Sequence, residues 1–155
     1  MSAFFRFAGV TSKDVILDIG CGDGRVLVTT AKILGCRGTG IDISEACIAS
    51  AIEIGRQEGV SQLLTWHCAD ATRPDAAETL RSGSPSLVFL YAYPTLLVQL
   101  KELLTSLRRS GTRIFTLQYH LSGEGWEPSR VSDEPSMRLY PSLNAPGLAV
   151  GTKGS

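Results

Sequence analysis

Apolar residues change their spacing several times along this chain, and each change marks a boundary between elements. Val15 to Ile19 is a short β-branched run broken only by Asp18, the pattern of a strand buried on both faces of a parallel sheet. Gly20-Cys21-Gly22-Asp23-Gly24 follows, too rich in glycine to continue a strand or a helix. From Arg25 the spacing turns helical, with Val26, Leu27, Thr30, Ala31, Ile33 and Leu34 on one side and Gly35 as the stop. Arg37 to Ile41 predicts a second strand with Asp42 at its carboxyl end. Ser44 is an N-cap, Glu45 a favourable first-turn acid, and Cys47, Ile48, Ala51 and Ile52 a helical face that Gly59 ends. Leu63 to Cys68 predicts a third strand, Arg73 to Ser82 a short amphipathic helix, and Ser86 to Tyr91 a fourth strand after a Gly83-Ser84-Pro85 turn. Pro94 suits the first turn of a helix carrying Leu96, Leu97, Leu100, Leu103, Leu104 and Leu107 on one face. Arg113 to Leu117 reads as a fifth strand, Glu124 to Pro128 as a loop, and Ser129 to Ser132 with Met137 to Tyr140 as an antiparallel hairpin. Ahead of the first strand, Phe4, Phe5, Phe7 and Val10 predict the end of a short helix covering the sheet edge.

Strands alternating with helices give an α/β fold: a doubly wound, mostly parallel, Rossmann-like sheet with helices on both faces and a C-terminal antiparallel hairpin. Residues 1–145 form one domain in this reading and residues 146–155 a tail. With 155 residues, 43% of them hydrophobic, the chain can bury one core. Its 15 basic and 15 acidic residues cancel, so nothing drives nonspecific binding to nucleic acid or to an anionic membrane. No apolar run has the length of a membrane span, and the opening Met-Ser-Ala-Phe-Phe-Arg-Phe is too short for a signal peptide. Cys21, Cys36, Cys47 and Cys68 lack zinc spacing, so no metal is expected, and reduced cysteines of this kind suit a cytoplasmic protein.

Candidate chemistry gathers where the first strand ends. A strand, a glycine loop and a helix place backbone N–H groups and a positive helix end at one spot, suited to the polar part of a nucleotide-like ligand. Asp42, about twenty residues beyond the loop, stands where an acidic side chain accepts hydrogen bonds from ribose hydroxyls. A dinucleotide-binding loop needs its third glycine at position 25, which is Arg25. Here the third glycine comes early, at Gly24, and Asp18 stands two residues before the first. That shape disfavours a nicotinamide-dependent dehydrogenase. Asp70 follows the third strand on the same edge, as a ligand-binding acid or as a turn former. Cys21 is read as a small residue that lets the ligand approach, since no base is evident beside it. His67 reads as a packed strand residue.

The Gly20–Gly24 loop, its preceding Asp18 and Asp42 in register resemble the class I S-adenosylmethionine-dependent methyltransferases. Phe7 to Arg25, the Tyr91-Ala92-Tyr93-Pro94 strand end and the Gly125-Trp126-Glu127-Pro128 loop narrow the resemblance. They are similar to the small ATP synthase c-subunit and adenine nucleotide translocase lysine methyltransferases and their bacterial relatives, from Phe4 to Tyr140. The resemblance implies S-adenosylmethionine as cofactor, with Asp18 near the methionine amino group and Gly20, Cys21, Gly22 and Gly24 against the methionine part. Asp42 and its neighbour Ile43 fall at the ribose, and Asp70, with Ala71 beside it, at the exocyclic amine of adenine. It implies methyl transfer to a protein lysine or another amine. A mitochondrial location rests on the resemblance alone, because the membrane-associated N-terminal segment of the mitochondrial members has no counterpart here.

Two features depart from a generic methyltransferase. The link from the fifth strand to the hairpin is too short for the usual long helix, and no substrate-binding cap is evident. A protein or small-molecule amine must then dock on the carboxyl edge, or a partner or second copy supplies the cap. The alternative is a catalytically weak, methyltransferase-like binding subunit. Nucleic-acid amino methyltransferases carry Asp or Asn with Pro-Pro-Tyr after the fourth strand, whereas Tyr91-Ala92-Tyr93-Pro94 offers neither acid nor amide, so no nucleic-acid substrate is expected. Tyr91 and Tyr93 are the candidate catalytic residues, flanking an aliphatic amine stem and accepting from its nitrogen; otherwise one packs in the core and the other lines the lip. No histidine or glutamate is evident at that edge.

Overall fold

The computed structural model describes residues 2–144, so the 146–155 tail lies outside the described residues. The elements are α1 (Ser2–Ala8), β1 (Val15–Ile19), α2 (Arg25–Leu34), β2 (Arg37–Asp42), α3 (Glu45–Gln57), β3 (Leu64–Cys68), α4 (Pro74–Ser82), β4 (Leu87–Leu90), α5 (Pro94–Arg109), β5 (Arg113–Leu117), β6 (Arg130–Asp133) and β7 (Ser136–Tyr140). They form a seven-stranded sheet in the order β3-β2-β1-β4-β5-β7-β6. β1 to β5 pair in parallel, while β7 runs antiparallel to both β5 and β6. Winding goes outward from β1 in one direction and from β4 in the other. The crevice between these two strands is the topological switch point.

Burial follows from that order. β4 is central, and all four of its residues are buried. β3 is an edge strand, and none of its residues is fully buried. One face packs α4 and α5 over Leu17, Ile19, Val88, Leu90 and Ile114, with the leucines of α5 as the main contribution. α2 covers Ile16 and Leu64 on the other face. Its end is set by Gly35 in the left-handed conformation, whose N–H reaches the Ala31 carbonyl at 2.9 Å. α3 is capped by Ser44, whose hydroxyl accepts from the Cys47 N–H at 3.2 Å.

Four boundaries and one placement differ from the sequence reading. Leu63 belongs to a single 3-10 turn, so β3 starts at Leu64. Arg73 is the N-cap of α4 rather than its first residue. β4 is shorter than 86–91, because Ser86 turns its hydroxyl to Asp14 and Tyr91 is exposed. The hairpin strands are shifted to Arg130–Asp133 and Ser136–Tyr140. The larger correction concerns α1, which covers a sheet face and not the edge. Phe4 lies 5.0 Å from Phe89 and 4.7 Å from Phe115, the rings of two central strands. Without α1, the β4–β5 face would expose Phe89 and Phe115, which stack at 5.3 Å. The carbonyls at the end of α1 accept from Arg130 (to Phe7, 3.0 Å) and Arg113 (to Ala8, 3.3 Å).

Residues 118–129 hold no helix between β5 and β6. Leu121 and Trp126 fill the space against α5, and the Tyr140 hydroxyl donates to the Leu121 carbonyl at 2.7 Å. Arg108, buried at the end of α5, ties this segment down by donating to the Gly125 and Pro141 carbonyls. Among the described residues no helix is long and apolar enough to cross a membrane.

Candidate active site

The carboxyl ends of β1, β2 and β3 border a cavity of about 380 Å³ lined by Gly20, Asp42, Ile43, Ala69, Asp70, Ala71 and Thr72, together with Leu96 and Gln99 from α5. Five residues singled out in the sequence are therefore brought together there: Gly20, Asp42, Ile43, Asp70 and Ala71. Leu96 and Gln99 escaped the sequence reading. Leu96 sat in a leucine stripe that reads as core, yet it is one helical turn from Gln99 on a helix that starts at this edge.

Asp42 does more than stand at an open strand end. Its Oδ2 accepts from the Gly22 N–H and its Oδ1 from the Ser44 N–H, both at 2.9 Å. One carboxylate thereby fixes the glycine loop and the start of α3 in a single arrangement. Gly20 and Cys21 are pinned as well, both donating N–H to the Ile41 carbonyl. At Gly20, with φ at 76°, a Cβ would enter open space with nothing within 4 Å. At Gly24, with φ at 81°, a Cβ would strike Trp66 at 2.5 Å and Ala51 at 2.8 Å. The first glycine keeps the cavity side clear. The last lets α2 approach α3 and β3.

Asp18 lies behind the loop, 3% exposed. Burial and then the nearby Asp42 carboxylate push its pKa up to about 7, with no hydrogen-bond donor offsetting them. Cys21 is buried with its thiol near the spot a Cβ on Gly40 would occupy, at 2.9 Å. Burial, Asp18 and Asp42 push that thiol up to about 12, so it is no nucleophile. Asp70 is exposed and forms a turn, its Oδ1 accepting from the Thr72 N–H at 2.9 Å and the Thr72 hydroxyl at 2.6 Å. Those hydrogen bonds hold its carboxyl below the usual range.

Tyr91 and Tyr93 both stand exposed at the end of β4, at 55% and 69%, so neither packs in the core. The ring that packs on Tyr93 is Tyr119, 5.2 Å away and tilted by 45°. Beside Tyr119 is His120, hydrogen-bonded through Nδ1 to Thr116 and through Nε2 to Ser136, each at 2.7 Å. The expectation of no histidine at this edge is thus corrected: His120 is three residues past the end of β5. The rule that puts ligand groups beyond every parallel strand's carboxyl end would have pointed to Tyr119 and His120. Among the described residues no group of three or more His, Cys, Asp or Glu is placed to hold a metal ion.

The model of the ANTKMT methyltransferase domain family matches residues 18–130, from Asp18 through the glycine loop and cavity to the first residue of β6. The chain belongs to the ANTKMT methyltransferase family. As a member it is a class I S-adenosylmethionine-dependent methyltransferase. A protein-lysine N-methyltransferase of Saccharolobus islandicus (strain REY15A) is 26% identical over 127 residues, covering 81% of this chain and 74% of that protein. A histone-lysine N-methyltransferase of Dictyostelium discoideum, H3 lysine-79 specific, is 27% identical over 125 residues, covering 70% of this chain and 6% of that protein. In fold, an RNA methyltransferase from Salinibacter ruber, solved with S-adenosyl-L-homocysteine, gives a TM-score of 0.76 at 23% identity, covering 93% of this chain and 90% of that one. That likeness is one of fold, the class I methyltransferase architecture.

Proposed function

We propose that this ANTKMT-family protein methylates the side-chain amine of a protein lysine. The observation that carries the reading is the strand end beside the cavity: exposed tyrosines at Tyr91 and Tyr93, with no acid or amide between them and Pro94. An exocyclic base amine finds no acceptor of its usual kind there, whereas an aliphatic ammonium stem fits between aromatic rings. The name of the Saccharolobus relative, a protein-lysine N-methyltransferase, supports the same acceptor.

The cavity residues suit the cofactor. Open space at the missing Gly20 Cβ leaves room for a ligand against the loop, and the unpaired Asp18 carboxyl awaits a cation. Asp18 takes the methionine ammonium, while Gly20, Cys21, Gly22 and Gly24 shape the loop against the methionine part. Asp42 accepts from the ribose hydroxyls, because each of its oxygens retains a lone pair beyond the backbone N–H it already holds. Ile43 covers the nucleoside from the rim, and Asp70 and Ala71 frame the adenine. Bound there, S-adenosylmethionine supplies an electrophilic methyl group on a sulfonium. Tyr91 and Tyr93 orient the amine, and their rings exclude water, which favours the neutral, attacking form of the nitrogen. The acceptor protein docks on the open carboxyl edge and itself covers the site.

Radiolabelled S-adenosylmethionine tests this with lysine-containing peptides, the same peptides carrying arginine at every lysine, and an RNA transcript. Label is expected on the lysine peptides alone. Label on RNA with none on the peptides would overturn the reading.

A further inference from the structure

Beyond β5 the chain makes an abrupt turn. Gln118 takes a left-handed conformation, φ 69°, which a non-glycine residue adopts only at a cost in strain. Its N–H donates to the Ser136 carbonyl at 2.9 Å, and the next N–H, of Tyr119, folds back to the Leu117 carbonyl at 2.8 Å. The turn swings Tyr119 out of line with the strand and sets its half-buried ring against Tyr93.

His120 closes the turn from below. Its two ring nitrogens bridge the Thr116 hydroxyl, fully buried on β5, and the Ser136 hydroxyl at the start of β7. A neutral imidazole accepts at one nitrogen and donates at the other, and either hydroxyl can rotate to match. Burial holds the imidazole below its ordinary pKa, and Arg138 adds to this against the opposing Asp133. Both nitrogens are taken up by side chains of the fold, on β5 and β7, so a holding role is what this geometry performs.

We propose that Tyr119 is an acceptor-binding residue, the wall of the amine channel facing Tyr93, and that His120 is the positioning residue that holds it there. This rests on the amine-acceptor reading of the site. Tyr91, Tyr93 and Tyr119 come from two adjacent strand ends, and the Tyr93–Tyr119 pair supplies a ring face and two hydroxyls beside the start of α5. α5 also gives the cofactor cavity its Leu96 and Gln99. The wall therefore stands on the same helix end as the cofactor site without lining it, as a second-substrate surface should.

The test uses the full chain, a lysine-containing peptide and S-adenosylhomocysteine. Tyr119→Ala is expected to raise the peptide KM about tenfold or more while S-adenosylhomocysteine affinity stays within about twofold. His120→Ala should raise KM in the same way, and His120→Asn, which keeps a donor and an acceptor, should recover most of the loss. In the double variant, removing His120 should add nothing to the loss from Tyr119→Ala, because it acts only through that ring. A Tyr119→Ala variant with wild-type KM overturns the proposal. So does a His120→Ala defect that adds in full to that of Tyr119→Ala. A wild type that methylates no lysine peptide overturns the acceptor reading itself, and this is read before any variant is made.

Discussion

At position 18 a carboxyl group sits where the core favours a hydrocarbon, 3% exposed and beside the Asp42 carboxylate. Its folded pKa of about 7 lies above the unfolded value of about 3.9, so the fold favours the protonated form. Below pH 4 the group is protonated in both states and costs nothing. Between pH 4 and 7 the unfolded chain sheds the proton that the folded chain keeps, so stability falls as pH rises, and above 7 the cost is complete. Asp18→Asn removes that ionisation while keeping the shape. It should raise Tm at pH 8 by the equivalent of about 2–4 kcal/mol, with the gain disappearing near pH 4. The same variant should bind S-adenosylhomocysteine more weakly if Asp18 holds the methionine ammonium as proposed. Calorimetry across this pH range, paired with ligand titration, decides it: an equal Tm difference at both ends of the range would mean that Asp18 is not the titrating group.

At the scale of elements, the glycine loop joins two jobs that its glycines divide between them. Gly24 is the left-handed N-cap of α2, and its missing Cβ clears Trp66 on β3 and Ala51 on α3. Gly24→Ala should therefore destabilise the fold by about 2–4 kcal/mol, overpacking and left-handed strain together. Gly20→Ala meets no neighbour, so it should cost about 1–2 kcal/mol of strain and act mainly by placing a methyl in the cavity. Urea unfolding and S-adenosylhomocysteine titration on the two variants should rank them in opposite order, and a common order would refute the division. The loop and strand ends were legible because glycine spacing, Asp18 and Asp42 each leave a local mark, and the alternation of apolar periods delivered the doubly wound sheet. What stayed hidden depended on distant partners. Three phenylalanines announce that α1 is buried, but not that Phe89 and Phe115 wait for it on the central strands. Gln118 gives no sign of a left-handed turn, since glycine or asparagine is the usual marker, so Tyr119 and His120 were not singled out. Asp42 looked like a free ligand group because its bonds go to backbone N–H groups that sequence does not display.

For the whole molecule, a formal net charge of zero conceals a polarity that the fold imposes. α2 to α5 each follow a parallel strand and start at the carboxyl edge, where helix N-termini favour acids. Their C-termini return to the amino edge, where bases are favoured. The sequence complies, with Glu45 and Asp75 in first turns and Lys32, Arg56, Arg81, Arg108 and Arg109 in last turns. Strand ends add Asp42 and Asp70 to the carboxyl edge, and the β6–β7 connection adds Asp133 and Glu134 beside the end of β5. Arg25, Arg73 and Arg138 oppose them, each offset by one acid, Asp23, Asp75 and Asp133 in turn, which leaves Glu45, Asp42, Asp70 and Glu134 in excess. These groups leave an excess of acids at the carboxyl edge, the side that receives the acceptor under the proposed function. Under the proposed function a cationic lysine segment should be drawn to this edge and an acidic segment repelled. Screening gives the measurement. Raising salt from about 0.01 M to about 0.1 M shortens the Debye length from about 30 to about 10 Å, so the KM for a lysine-rich peptide should rise several-fold. Affinity for S-adenosylhomocysteine, held by short contacts in a partly enclosed cavity, should change much less over the same range. A peptide KM that stays flat or falls with salt would show that the edge charge does not guide the acceptor.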